Sequence, residues 1–163
     1  MLITSDQHFF HKNIIQYENR PFLTKEEMNE SMIKDWNSVV HKRDYIYVLG
    51  DLAFGNKEMI KNLISRLNGR IHLIMGNHDG KRSYKWWLEC GIEWVSKYPI
   101  LYENNYILSH RPQDVPNGYY NVHGHTHSKV MGLGYFNVSV DNVGYKPLDF
   151  RVVKEKLANG QTR

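Results

Sequence analysis

Hydrophobic and polar residues alternate along this chain in two periods. Short apolar runs predict strands at Leu2-Ile3-Thr4, at Tyr45-Ile46-Tyr47-Val48-Leu49 stopped by Gly50, and from Ile71 to Met75 stopped by Gly76. Between them the spacing becomes helical. Met28, Met32, Trp36, Val39 and Val40 share one face of a helix that opens on the capping box Thr24-Lys25-Glu26-Glu27 and ends near His41. Asn56 is placed to cap a second helix carrying Met59, Ile60, Leu63, Ile64 and Leu67, with Asn68-Gly69 as its stop. A short helix is expected from Tyr84 to Cys90, ended by Gly91. The second half is richer in strands: Pro99 to Glu103 and Tyr106 to Ser109, joined as a hairpin at Asn104-Asn105, then Tyr120-Asn121-Val122, Tyr135 to Val140 and Phe150 to Val153. This order predicts one α/β domain over residues 1–163 whose sheet is mixed or doubled.

The polar residues gather directly after the strands. Asp6 and His8 follow the first, Asp51 the second, and Asn77, His78 and Asp79 the third; His110 follows Leu108-Ser109, and His125 and His127 follow Val122-His123-Gly124. Ligands of α/β sheets bind outside the carboxyl ends of strands, so these groups converge on one edge. In extended chain, residues i and i+2 point the same way, which would aim Asp6 with His8, and His125 with His127, at a common point. Gly50, Gly76 and Gly124 precede the polar groups, where a missing side chain permits a sharp turn or a close approach.

The donors are carboxylate, amide oxygen and imidazole, without thiolate. That set suits manganese, iron, zinc, cobalt or nickel, and its richness in histidine argues against calcium. The seven donors Asp6, His8, Asp51, Asn77, His110, His125 and His127 exceed one tetrahedral site. Two metals sharing a carboxylate use them more naturally, as in two-metal phosphoryl chemistry.

Composition adds limits. Hydrophobic residues at 41% and charged residues at 23% exclude wholesale disorder, and a net charge of +4 suits an anionic ligand without pointing to nucleic acid. The single cysteine, Cys90, rules out an intramolecular disulfide or a cysteine-rich zinc module. No apolar stretch approaches the ~18 residues of a transmembrane helix, so no membrane partner is expected. The polar segment beginning at Asp6 leaves no space for a signal peptide, and a cytoplasmic location is expected.

Taken as a set, Asp6-Gln7-His8, Gly50-Asp51, Gly76-Asn77-His78-Asp79, Ser109-His110 and Gly124-His125-Thr126-His127 resemble the motifs of the calcineurin-like metallophosphoesterase superfamily. The resemblance implies a four-layer α/β/β/α sandwich with two mixed sheets. It implies two divalent transition metal ions, manganese first, with iron, zinc, nickel or cobalt as alternatives. Asp6, His8, Asp51 and His127 would hold one ion, and Asp51, bridging, with Asn77, His110 and His125 the other. A bridging hydroxide would attack phosphorus in line, and His78 would protonate the leaving oxygen. The stretch Asp6 to Asn13 looks most like compact phosphoesterases of bacteria and their phages.

The chain departs from the family pattern in two places. Gly50-Asp51 continues Leu52-Ala53-Phe54, without the Asp and Arg of the protein phosphatase type, and Ser109 stands where Gly commonly precedes the His. The first departure turns the expectation from a protein phosphatase towards a phosphodiester or small nucleotide-type substrate. It also leaves Asp79 or a water to orient His78. A nuclease, with nucleic acid as partner, and a non-catalytic metal-stabilised scaffold are the rival readings.

Other residues carry weaker signals. His11 is placed to contact substrate phosphate, to support the ligands from behind or to cap the following helix, and Arg111 to steer a phosphate or to be a solvated loop charge; Lys81 and Arg82 read as loop charges. His41 and His72 carry no chemistry, and His123 reads as structural. Trp86, Trp87 and Trp94 are expected in the core or on a homodimer surface, and Tyr119-Tyr120 in packing rather than in base stacking.

Overall fold

The computed structural model describes residues 1–161. One sheet is built from β1 (Leu2–Thr4), β2 (Tyr45–Val48), β3 (Arg70–Ile74) and β4 (Trp94–Ser96), all parallel, with β9 (Leu148–Asp149) antiparallel beside β1, in the order β4-β3-β2-β1-β9. The other has the order β5-β6-β7-β8, from β5 (Ile100–Tyr102), β6 (Tyr106–Leu108), β7 (Tyr120–His123) and β8 (Tyr135–Asn137). Only its β5–β6 hairpin is antiparallel. The fold is α/β with two mixed sheets and helices, as expected.

Alternation along the strands sorts the core into two parts. Ile46, Val48, Ile71 and Leu73 face α2 (Lys25–Val39), α3 (Lys57–Arg66) and α4 (Tyr84–Glu89), packing with Met28, Met32, Trp36, Ile60, Leu63 and Trp87. The intervening Leu49 and Ile74, with Ile3, face the second sheet's Leu108, Val122 and Phe136, and α6 (Phe150–Ala158) adds Phe150, Val153 and Leu157 to that cluster. Helix entry follows the capping logic. Thr24 Oγ accepts from the Glu27 N–H at 3.1 Å, Glu27 Oε2 accepts from the Leu23 N–H at 2.8 Å, and Asn56 Oδ1 accepts from the Met59 N–H at 3.0 Å.

The structure corrects several expected elements. Residues 150–153 are helical, not extended. Asp149 caps this helix, its Oδ1 accepting from the Arg151 N–H at 2.9 Å. Phe150, Val153 and Leu157 then fall on one face, while pairing with β1 is left to the short β9. The strand expected through Val140 stops at Asn137, and Val140 opens the short helix α5 (Val140–Val143). β4 and α1 (Ile14–Tyr17) are additions, too short to show a period in the sequence. Trp87 is fully buried, Tyr120 stacks on Tyr106, and Trp94 stays 38% exposed at a sheet edge. Among the described residues no helix is long and apolar enough to cross a membrane.

The two sheets meet at their carboxyl ends. The Val140 N–H donates to Ser5 O, the Asp6 N–H to Gly50 O and the Gly124 N–H to His110 O, each at 3.0 Å. These bonds tie the loops after β1, β2 and β8 to one another and those after β6 and β7 to one another, and the His125 N–H, donating to Asp6 Oδ2 at 2.9 Å, joins the two groups.

Candidate metal centre

The loops carrying the polar groups are not extended. Asp6 (φ +60°), His8 (+52°), Asp51 (+54°), His125 (+66°) and His127 (+49°) all occupy the left-handed region. The i, i+2 spacing therefore selects the right pairs for the wrong geometry. Such conformations cost roughly 1–3 kcal/mol each and persist where the surroundings over-determine them, typically at functional sites. Here the surroundings are visible. The His8 N–H donates to Asp51 O and the Phe9 N–H to Leu52 O, both at 3.0 Å. Arg20, buried, donates from Nη2 to Asp6 O and from Nη1 to Gln7 O, both at 2.8 Å.

Two glycines make this crossing possible. A Cβ on Gly124 would collide with Ser5 Oγ and Asp6 Oδ2, and one on Gly76 with the Asp51 carboxylate. Gly124→Ala is expected to destabilise the protein by about 1–3 kcal/mol, the usual range for overpacking, whereas Gly132→Ala, with open space around it, should unfold like wild type. Denaturant titration of both variants checks this.

The side chains form two adjoining donor sets. Ligand atoms of Asp6, His8 and His127 lie within 4.8 Å of one another, and so do those of Asp51, His110 and His125. Asn77 joins the second set, with Oδ1 at 2.9 Å from His110 Nε2. Asp51 stands between the sets. Its Oδ1 accepts from the His78 N–H at 2.9 Å, and its Oδ2 lies 3.6 Å from His8 Nε2 and 3.5 Å from His110 Nε2.

This arrangement fits cations. Among the described residues, Asp6 Oδ1 and both ring nitrogens of His8 are buried without a hydrogen-bond partner. His110 Nδ1 lies 2.8 Å from Leu49 O, which can only accept, so Nδ1 carries the proton. In the neutral ring Nε2 is then a bare acceptor, yet it faces two more acceptors, Asn77 Oδ1 and Asp51 Oδ2. A cation among these atoms satisfies Asp6 Oδ1, His110 Nε2 and one nitrogen of His8, whose other nitrogen carries the ring proton. Protonation states agree. Burial, with the neighbouring His127 and Arg20 charges, holds His8 far below the usual imidazole range, and burial, followed by the charges of His110 and Arg111, pushes His125 down to about 4. Both rings are thus neutral near pH 7, as ligation requires. Burial raises Asp6, His110 and His127 oppose the rise, and the Asp51 charge adds to it.

Three residues around these sets were not legible as functional. Asp141 Oδ2 is 2.7 Å from His127 Nδ1, and the carboxylate also accepts from Arg20, Nε to Oδ1 at 2.7 Å and Nη2 to Oδ2 at 2.9 Å. Burial disfavours the His127 imidazolium, but Asp141 and Asp6 outweigh it and raise that group. The bond fixes Nδ1–H and leaves Nε2 for Asp6 and His8. Glu18 also approaches His127 and Asp141.

Asp79 departs from expectation. It is fully buried and turned away from the His78 ring, accepting from the N–H groups of Asp51 (2.6 Å), Gly76 (2.9 Å) and Leu52 (3.3 Å). Its role is to join the loops after β2 and β3. Burial and the Asp51 charge push its carboxyl up to about 6.

The remaining predicted residues surround the centre. The His78 side chain is 40% exposed, with Nε2 at 3.9 Å from Asp51 Oδ2, and its ring lies 5.0 Å from Phe54 and edge-on to His8 at 5.5 Å. His11 stacks on Phe54 at 4.5 Å, and its Nδ1 is buried without a hydrogen-bond partner among the described residues. Arg111 is exposed beside His125, whose imidazolium its charge disfavours. His123 is buried in β7, with Nδ1 2.8 Å from Gly124 O.

A family model described as calcineurin-like phosphoesterase matches residues 1–158. The chain belongs to the calcineurin-like phosphoesterase family. Members of the family use divalent metals, and the two donor sets are its candidate ligands here. An uncharacterized protein of Methanocaldococcus jannaschii is 34% identical over 174 residues, spanning 98% of this chain and 92% of that protein. The gene 66 protein of Mycobacterium phage L5 is 42% identical over 80 residues, which are 47% of this chain and 38% of the phage protein. The crystal structure of a protein of unknown function from Aquifex aeolicus shares the fold, with a TM-score of 0.72 and 24% identity over 95% of this chain and 97% of that one.

Proposed function

We propose that this phosphoesterase is a two-metal hydrolase of phosphodiesters or small nucleotide-type phosphoesters. The observation that carries the reading is the placement of Asp51 Oδ2, 3.6 Å from a nitrogen of one donor set and 3.5 Å from a nitrogen of the other. Asp6, His8, His127 and Asp51 would hold one ion; Asp51, Asn77, His110 and His125 would hold the second. Two ions bound there supply charge to stabilise the phosphoryl oxygens and to acidify water.

The chain's own residues do the rest. Asp51 holds the two donor sets in register. Its Oδ1 fixes the His78 backbone, so the imidazole projects from the cleft wall, where it can give a proton to the leaving oxygen. Leu52 and Ala53 are buried in the apolar core, so neither a carboxylate nor a guanidinium follows Asp51 as in the protein phosphatases. That supports a phosphodiester over a phosphoprotein substrate. The mixed carboxylate and imidazole donors suit manganese, iron, zinc, cobalt or nickel, and the family resemblance puts manganese first. The test is metal analysis combined with a panel of phosphomonoesters, linear phosphodiesters, cyclic nucleotides and dinucleotides. Saturation at one ion per chain, or turnover of phosphoproteins alone, would overturn the reading.

The Arg20–Asp141–His127 chain gives a prediction that separates the two ions. Asp141→Asn leaves a side chain that can still accept from one neighbour but carries no charge. Affinity at the Asp6, His8, His127 set should fall about 10–100-fold, the usual effect of removing a ligand's hydrogen-bond partner, with the other set retained. Calorimetric titration resolving two binding steps checks it, and equal weakening of both steps would refute it.

A further inference from the structure

A cavity of about 260 Å³ opens beside the second donor set. It shares Asn77 and His110 with that set, and Lys97, Pro99, Arg111 and Gln113 also line it. No carboxylate among the described residues lines it. Among the described residues neither Lys97 nor Arg111 has an acidic partner. Lys97 Nζ sits 5.1 Å above the Tyr84 ring, a cation–π contact that limits the side chain's freedom.

The loop presenting Arg111 is built from buried parts. Asn121, fully buried, accepts from the Gln113 N–H at 2.9 Å and donates to Ser109 Oγ at 2.9 Å and Ile107 O at 2.8 Å. Ser109 Oγ in turn donates to Arg111 O at 2.7 Å, and Gln113 Nε2 donates to the same carbonyl at 3.0 Å. Pro112 restricts the turn further. Ser109, the departure from the family's usual Gly, is therefore the residue that shapes this loop. A cation held on an ordered loop loses less conformational entropy on binding an anion than one on a free loop.

The geometry points to a subsite for a second phosphoryl group of the substrate, gripped by Arg111 and Lys97 while the reacting phosphoryl group sits at the metal centre. The inference rests on the phosphoesterase reading above and narrows it to phosphoesters carrying a further phosphate. At roughly 30 Å³ per water the cavity has the space of about nine waters, ample for a phosphate with part of the group that carries it.

The test compares adenosine 5′-monophosphate with adenosine 3′,5′-bisphosphate as ligands of the manganese-loaded protein, by calorimetry. Wild type should prefer the bisphosphate by about tenfold or more, the size expected for charge-assisted hydrogen bonds to an added phosphate. In the Arg111→Gln, Lys97→Gln double variant the ratio of affinities should fall towards one, with metal content as in wild type. An equal preference in wild type, or a ratio unchanged in the variant, would overturn the subsite. Hydrolysis of bis-p-nitrophenyl phosphate by wild type reports separately on the metal centre. Turnover without bisphosphate preference rejects the subsite alone, and preference without turnover keeps the subsite and rejects the hydrolase reading.

Discussion

Asp51→Asn should bind both metal ions poorly and lose turnover, yet its metal-free form should be at least as stable as wild-type apoprotein. The opposite signs follow from one side chain. Asp51 Oδ2 faces His8 Nε2 and His110 Nε2, and an amide in its place is neutral and a weak bridge. Removing even a hydrogen-bond partner of a ligand costs about 10–100-fold in affinity, so removing a shared ligand should cost at least that at both sites. Without metal the balance reverses. The Asp51 charge raises both Asp6 and Asp79, which means that three buried carboxylates oppose one another. An asparagine relieves that repulsion, its Oδ1 can still accept from the His78 N–H, and its Nδ2 can donate towards the imidazole nitrogens. Wild type at metal concentrations ~1,000 times Kd gains about 4 kcal/mol from one bound ion, and the variant should lose that increment. Denaturation with and without chelator, beside metal titration, measures both signs. Full occupancy and activity in Asp51→Asn would remove Asp51 from the centre.

The same residues show what was readable in the chain. The donor pairs were legible because each follows an apolar strand, and parallel strands deliver their carboxyl ends to one edge. Gly76 and Gly124 were legible for the same reason: their missing side chains are where Asp51 and Asp6 cross. The left-handed backbone at Asp6, His8, His125 and His127 was not, because it depends on partners distant in sequence. Arg20 and Asp141 are 121 positions apart, and no local period links them. The direction of Asp79 was hidden because a motif gives adjacency without orientation, and its carboxylate turns inward to three N–H groups. At residues 150–153 the aromatic and β-branched content suggested a strand. The Asp149 cap and the i, i+3, i+7 spacing of Phe150, Val153 and Leu157 decided for a helix that could bury them.

His78→Ala should keep both metals and lose turnover by about 10²–10⁴-fold, the range for a general acid. The backbone N–H of His78 holds Asp51 Oδ1, and alanine preserves that bond, so the donor sets should survive the change. What disappears is the imidazole. Asp79 does not orient it, since its carboxylate accepts from Asp51, Leu52 and Gly76 N–H groups. Orientation comes instead from packing against Phe54 and His8. An imidazole is the commonest general acid among side chains. If it serves the leaving oxygen, the loss must depend on that oxygen's basicity. p-Nitrophenolate leaves without protonation, so bis-p-nitrophenyl phosphate should be hydrolysed by His78→Ala with a much smaller loss. An alkyl or ribose oxygen needs the proton, and its esters should show the full loss. Equal losses for both substrates would make His78 a phosphate-binding group, and loss of metal with the side chain would make it a ligand. A Phe54→Leu variant should give a smaller loss with the same leaving-group dependence, because the proton donor is kept and only its placement is loosened.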